Sequence, residues 1–195
     1  AGIGQYILRR VEALARADIS NEQVCLLQSR TDRTQLNQHP NIHRVSLWTP
    51  SHHRLEQLTL RFEIGRLHLD LLHSPDFIPP FSRNCKSVIT IHDLAFLLYP
   101  HFLTNEAARY YGQIDQAVRH TDHIIAVSES TRRDTINLLG VPENKITVIY
   151  EAANPIFREI DKELARRHVV ETYGLDQPYI LFVSTVEPRK NLPGL

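Results

Sequence analysis

The stretch SVITIHD, residues 87–93, decides the fold class of this protein. Residues 87–91 are rich in β-branched side chains, which is typical of a buried strand, and the polar pair His92-Asp93 marks its end. Moving outward along the chain in both directions, short runs of the same kind recur. The predicted strands lie at residues 24–27, 43–47, 69–73, 87–91, 124–127 and 145–150.

Helical periodicity fills the intervals between these strands. Apolar residues recur at helical spacing in the predicted helices at residues 5–17, 53–66 and 104–121, and in a helix that ends at Leu139. Gly140 suits a left-handed C-cap there, and Pro142 prevents the helix from continuing. Because continuous apolar strands alternate with helices, the sequence predicts a doubly wound parallel α/β sheet of the Rossmann-like class.

The pattern changes after Tyr150, and this change predicts a domain boundary. We expect residues 1–155 to form an N-terminal domain, residues 156–176 a linker and helix, and residues 177–195 the first strand of a second domain, with a buried strand at 179–183. The chain opens on a glycine turn that ordinarily follows a strand. We therefore expect the first strand and most of the second domain to lie outside these 195 residues.

Composition excludes several classes of partner. Lys plus Arg and Asp plus Glu both number 22, so no global charge indicates a nucleic-acid partner. No apolar run is long enough to span a bilayer, and we expect a cytoplasmic protein, with peripheral membrane contact left open. Cys25 and Cys85 lack metal-site spacing and are interpreted as small core residues. The histidines, the pair His52 and His53 included, form no chelating pattern, so we expect no metal and no cofactor.

Ligands of open parallel α/β sheets bind beyond the carboxyl ends of the strands. Four segments are predicted to lie there. They are Gly2-Ile3-Gly4, His92-Asp93, Ser128-Glu129, and the turn that contains Glu187, Arg189 and Lys190.

Each segment has a structural and a functional interpretation. Glycines at a helix start allow backbone N–H groups to approach an anion, although G-x-G also marks an ordinary tight turn, and Ile7 stands where a dinucleotide motif needs its third glycine. His92 can donate to a ligand, act as a base, or bond the backbone. Asp93 either orients His92 or caps the next turn.

The other two segments also have both a structural and a functional interpretation. Ser128 caps a helix or places a ligand phosphate or sugar, and Glu129 suits the helix dipole. Arg189 and Lys190 either neutralise a diphosphate or occupy a solvated turn.

Taken together, these segments resemble the family 4 glycosyltransferases, the large retaining group with the GT-B fold. The matching pieces fall in the family's order over nearly the whole chain. They are GIGQY at 2–6, VITIHDLAFLLYP at 88–100, IIAVSESTRRD at 124–134, ITVIYEAANPIF at 146–157 and FVSTVEPRKN at 182–191.

The resemblance implies the N-terminal half of a two-domain enzyme that moves a sugar from a nucleotide-diphosphate sugar to a glycan or lipid-linked acceptor, with retention and without an essential metal. It implies that Gly2 and Gly4 lie near the donor diphosphate, that His92 contacts the donor sugar, and that Lys190 holds the diphosphate. From the similarity of the EPRKN turn at 187–191 to relatives, GDP-mannose is the donor that we favour. We expect residues 1–195 alone to be inactive, because half of the cleft is missing.

Two other functions remain open from the sequence. A GT-B epimerase would use a similar cleft to act on nucleotide sugars without an acceptor. A non-catalytic module would keep the fold and bind a sugar nucleotide without turnover. The sequence departs from the family pattern at Ser184, where many relatives carry an arginine, so either Arg189 takes over that phosphate contact or the phosphate contacts differ.

Overall fold

A computed structural model describes residues 2–34, 39–49, 55–184 and 186–194, and of Arg189 the backbone alone. Strands and helices alternate along most of the chain. The strands are β1 (Val24–Ser29), β2 (Ile42–Leu47), β3 (Leu71–Ser74), β4 (Lys86–Ile91), β5 (His123–Ala126) and β6 (Ile146–Val148). The α-helices are α1 (Gly2–Leu14), α2 (Glu56–Gly65), α3 (Ala95–Leu98), α4 (Asn105–Tyr111), α5 (Ile114–His120), α6 (Glu129–Leu139) and α7 (Lys162–Tyr173).

Every strand pairing in the described residues is parallel, which confirms the predicted α/β class. β3, β4, β5 and β6 form one sheet in that order. β1 and β2 pair separately, with Val24 opposite Ile42. Among the described strands, the predicted parallel arrangement thus consists of two sheets that no backbone hydrogen-bond ladder joins.

The two faces of the four-stranded sheet differ in chemistry. Successive residues of a strand point to opposite faces, so Ile89 and Ile91 of β4 pack in the main hydrophobic core while Thr90 faces the other way. Residues of α5 and α6 complete that core. On the opposite face, Thr90 bonds His73 of β3 and lies 3.5 Å from the Tyr6 hydroxyl of α1. One face is thus apolar, and the other carries polar side chains.

The start of β4 is tied to the start of β5 by polar contacts. Asp122, which precedes β5, accepts from the Ser87 backbone N–H at 2.8 Å and from Lys86 at 2.9 Å. Thr121 donates to the Ser87 carbonyl at 3.0 Å. These bonds fix the register of the two strands at their amino ends, and hence the positions of their carboxyl ends.

Two predicted helices have different limits in the structure. α1 begins at Gly2, so Gly2 and Gly4 lie inside its first turn and not in a turn before it. The helix predicted at 104–121 is two helices, α4 and α5. Gly112 interrupts it, and Gln113 bonds back to Tyr110 in a tighter turn. The reason is glycine's low helix propensity.

The chain divides into two compact units, Ala1–Tyr150 and Glu151–Leu195. The second unit contains α7 and two short 3₁₀ turns at Pro188–Lys190 and Leu192–Gly194. The strand predicted at 179–183 is wrong, because these residues are irregular, and Ile180 is 88% exposed. A parallel strand needs a neighbour for its backbone hydrogen bonds, and the described residues of this unit provide none.

The C-cap of α6 yields a stability prediction. Gly140 ends this helix at φ +63°, a backbone conformation that costs an L side chain about 1–2 kcal/mol. We expect Gly140→Ala to lower the free energy of unfolding by about 1 kcal/mol, measured by urea unfolding with circular dichroism.

Gly65 is the matched control, because it ends α2 outside the positive-φ region and no atom of the described residues lies within 4 Å of an added Cβ. Gly65→Ala should leave the free energy of unfolding unchanged or raise it. An equal loss in both variants would contradict the role assigned to the left-handed cap.

Candidate functional site

His92 lies directly beyond the carboxyl end of β4, where it contacts the residue after β3 and the helices α6 and α1. Its Nε2 donates to the carbonyl of Pro75, which follows β3, at 3.0 Å. Its own carbonyl accepts from the Thr131 hydroxyl of α6 at 3.1 Å. The ring is half-buried, so part of it reaches solvent. His92 therefore has a defined orientation at the edge where ligands of parallel sheets bind.

Helix α1 reaches His92 through Tyr6, in the second turn of the helix. The two rings meet edge to face with their centroids 4.9 Å apart. Arg10, one turn further along α1, donates to the Tyr6 hydroxyl at 2.7 Å. Tyr6 lies two residues after Gly4, so α1 contacts His92 at a position close in sequence to the predicted glycines.

Ser128 occupies the N-cap of α6 at the end of the neighbouring strand β5. Its hydroxyl accepts from the Thr131 backbone N–H at 3.1 Å and shares a 3.0 Å hydrogen bond with the Thr131 hydroxyl. Thr131 in turn bonds His92. The structure thus connects Ser128 to His92 through one side chain, and the cap interpretation of Ser128 describes its observed contacts.

Asp93 is exposed and accepts from the Ala95 backbone N–H at 2.9 Å, which closes a turn just before the short helix α3, whose N-cap position is Leu94. The bond that orients the His92 ring comes from Pro75. Gly2 and Gly4 are exposed, and no atom lies within 4 Å of a Cβ added to either. Nothing in the described chain approaches these glycines closely.

A second histidine lies under the polar face beside this edge. His73 of β3 shares a 2.9 Å hydrogen bond with Thr90. Burial, together with the smaller effect of the Arg10 charge, lowers the pKa of His73 from 6.5 to about 4. His73 is therefore neutral near pH 7, and its ring is bonded to Thr90 of the neighbouring strand.

Glu187, Arg189 and Lys190 belong to the second unit. They form a 3₁₀ turn in which the Lys190 N–H bonds the Glu187 carbonyl at 2.9 Å. Glu187 is half-buried and Lys190 is exposed, while the Arg189 side chain lies outside the described residues. This geometry is that of a surface turn with at least one solvent-facing cation.

Among the described residues, no group of three or more His, Cys, Asp or Glu side chains is arranged to hold a metal ion. Cys25 and Cys85 are free, half-buried thiols. The pair His52 and His53 lies outside the described residues.

The profile of glycosyltransferase family 4 matches residues 1–155, most of the chain. The chain belongs to this family.

Among curated relatives, an O-antigen chain mannosyltransferase B from Escherichia coli is 27% identical over the whole chain, which covers 55% of that protein. A serotype-specific mannosyltransferase WbdA from the same organism is 26% identical over 60% of the chain, which covers 15% of that larger protein. The chain thus spans about half the length, or less, of the curated relatives it matches.

A solved structure of a glycosyltransferase from Rickettsia africae aligns with a TM-score of 0.43 and 19% identity, covering 68% of this chain and 36% of that one. In the described part of this family 4 chain, no helix has the length and apolar character that crossing a bilayer requires.

Sequence reasoning about this family 4 chain did not identify three residues that support His92, namely Pro75, Tyr6 and Thr131. Pro75 acts through its carbonyl, so its side chain carries no signal. Tyr6 and Arg10 are spaced i, i+4 on α1, which places them on the same helix face. That spacing could have predicted the hydrogen bond from Arg10 to the Tyr6 hydroxyl.

The low pKa of His73 predicts a pH dependence of stability. The unfolded chain takes up a proton near pH 6.5, whereas folded His73 does so only near pH 4. The free energy of unfolding should therefore fall as the pH drops from about 6.5 to about 4. We expect His73→Gln to remove this part of the pH dependence, measured by urea unfolding across that range.

His43→Gln is the control, because His43 is exposed on β2. The His43 variant should retain the wild-type slope of stability against pH between 6.5 and 4. A wild-type slope in His73→Gln would show that another group causes the acid sensitivity.

Proposed function

We propose that the complete protein is a retaining glycosyltransferase that moves a sugar from a nucleotide-diphosphate sugar to a glycan or lipid-linked acceptor. Residues 1–155 supply the acceptor-side wall, and the second unit begins the donor-binding half. The observation that carries this proposal is the family match together with the position of His92, half-exposed at the carboxyl end of β4 beside Tyr6 of α1.

The donor sugar we favour is mannose, because the curated relatives are named mannosyltransferases. In this proposal His92 contacts the donor sugar near the reacting carbon, where its ring is held by Pro75 and Tyr6. A ring fixed in advance loses little freedom when the substrate binds, which favours the transition state.

The two helix starts at this edge suit different tasks. α1 is 13 residues long, has no acidic residue in its first turn, and opens on glycines with free space around them. Its N–H groups and dipole suit the leaving diphosphate. α6 begins with Glu129, and Ser128 already caps it. We therefore assign the diphosphate to α1 and the support of His92 to α6.

Glu187, Arg189 and Lys190 are assigned to the donor from the second unit. Lys190 is exposed, and a cation there would balance the charge of the diphosphate as the glycosidic bond breaks. In the proposed reaction the nucleoside diphosphate departs with the bonding electrons. The acceptor hydroxyl attacks the oxocarbenium-like sugar from the same face and passes its proton to the departing diphosphate.

His92→Ala in the complete protein tests the catalytic assignment. We expect kcat/KM to fall at least tenfold, about 1.4 kcal/mol in transition-state stabilisation, measured with a nucleotide-mannose donor and a glycan acceptor. His43→Ala, an exposed change on β2, should retain wild-type turnover. Unchanged turnover in His92→Ala would refute this role, and an epimerised donor formed without acceptor would identify an epimerase.

A charge placed in the first turn of α1 tests the diphosphate assignment. We compare Gly4→Glu with the uncharged Gly4→Gln, because the two side chains are nearly identical in shape and an added Cβ at Gly4 lies more than 4 Å from the described neighbours. A carboxylate at a helix start stabilises the helix but repels a bound anion. We expect Gly4→Glu to raise the Kd for nucleoside diphosphate at least tenfold more than Gly4→Gln does, measured by calorimetry. Equal Kd values in the two variants would remove α1 from the site.

A further inference from the structure

Trp48 is the sole tryptophan of the chain, and its side chain is 70% exposed. It lies one residue beyond the carboxyl end of β2, as His92 does for β4. Tryptophan is highly buried on average in folded proteins. An exposed tryptophan that is held in place at the carboxyl end of a parallel strand is a candidate ligand-binding residue.

Arg30 covers one face of the Trp48 ring. Its guanidinium carbon lies 3.8 Å from the ring centroid, well within the range of a cation–π contact. Arg30 directly follows β1, and its backbone N–H bonds the Leu47 carbonyl at 3.0 Å. The two side chains therefore stack where the paired strands β1 and β2 both end.

Glu63 of α2 anchors the backbone that carries Trp48. Its carboxylate accepts from the backbone N–H groups of Trp48 and Thr49, each at 2.8 Å, and from the Thr49 hydroxyl. Burial alone raises the pKa of the Glu63 carboxyl, but these hydrogen bonds outweigh burial and hold the pKa below its ordinary value. Glu63 is thus ionised near pH 7 and fixes the strand end on which the ring stands.

Polar side chains flank Arg30 along the chain. At the end of β1 and just beyond it, the hydroxyls of Ser29 and Thr31 bond each other at 2.9 Å, and Gln28 bonds the Asp32 carboxylate at 2.8 Å. An exposed aromatic face beside a guanidinium suits a pyranose ring. The polarised C–H bonds of such a sugar pack on the aromatic face while its hydroxyls reach hydrogen-bonding groups.

We propose that Trp48, stacked on Arg30 and anchored by Glu63, is a binding platform for a sugar residue of the glycan acceptor. The proposal rests on the proposed function, because it names the acceptor as a hydroxyl-rich glycan. The open face of Trp48 receives the C–H face of the sugar. The guanidinium of Arg30 donates to hydroxyls at the ring edge.

Binding is measured directly on the complete protein with linear manno-oligosaccharides. The difference in fluorescence between wild type and Trp48→Phe isolates the signal of Trp48. We expect this signal to change saturably with oligosaccharide concentration. We also expect Trp48→Ala to raise the Kd for oligosaccharide in calorimetry at least tenfold, and Arg30→Ala to raise it by a smaller factor.

Tyr173→Ala is the matched control, because Tyr173 is an aromatic residue of similar exposure, 68%, at the end of α7. That variant should bind the oligosaccharide as the wild type does. A Kd in Trp48→Ala within twofold of wild type, or a Trp48 signal that saturating oligosaccharide leaves unchanged, would overturn the platform. Oligosaccharide binding that requires Trp48 but leads to no sugar transfer would uphold the platform and overturn the transferase proposal.

Discussion

The candidate site depends on the parallel pairing of β4 with β3 and β5. Parallel strands end at the same edge of their sheet, so the residues that follow each strand become neighbours without further folding information. Pro75, His92 and Ser128 each follow one of these three strands. The contacts between Pro75 and His92, and between Ser128 and His92 through Thr131, are direct consequences of that pairing.

The difference between the two faces of β4 explains how one strand serves both stability and the site. Ile89 and Ile91 are fully buried in the apolar core, and burying such a side chain contributes about 1.5–3 kcal/mol. Thr90, between them, is also fully buried but faces His73 and Tyr6. A buried hydroxyl is stable only with hydrogen-bond partners. Thr90 therefore links α1 to the sheet at the level where Tyr6 contacts His92.

Features that depend on local sequence were predictable. The β-branched run at 87–91 located His92 at a strand end, and glycine followed by Val-Pro located the left-handed cap at Gly140. The α/β class followed from the same local patterns. The roles given to His92, Asp93, Gly2, Gly4 and Ser128 stay predictions, although their positions are now defined.

Features that depend on a partner distant in sequence were not predictable. The apolar run at 179–183 has the composition of a strand, yet it is exposed and unpaired in the described second unit. Composition indicates that a segment suits a sheet, whereas pairing depends on a neighbour that composition does not specify. The stacking of Trp48 on Arg30 also depends on strand pairing, and here the partner strand is present. Residues that are 18 positions apart meet only because β1 and β2 pair in parallel with Ser29 opposite Leu47. A parallel sheet thus places side chains by register, and the register of β1 and β2 depends on both strands together.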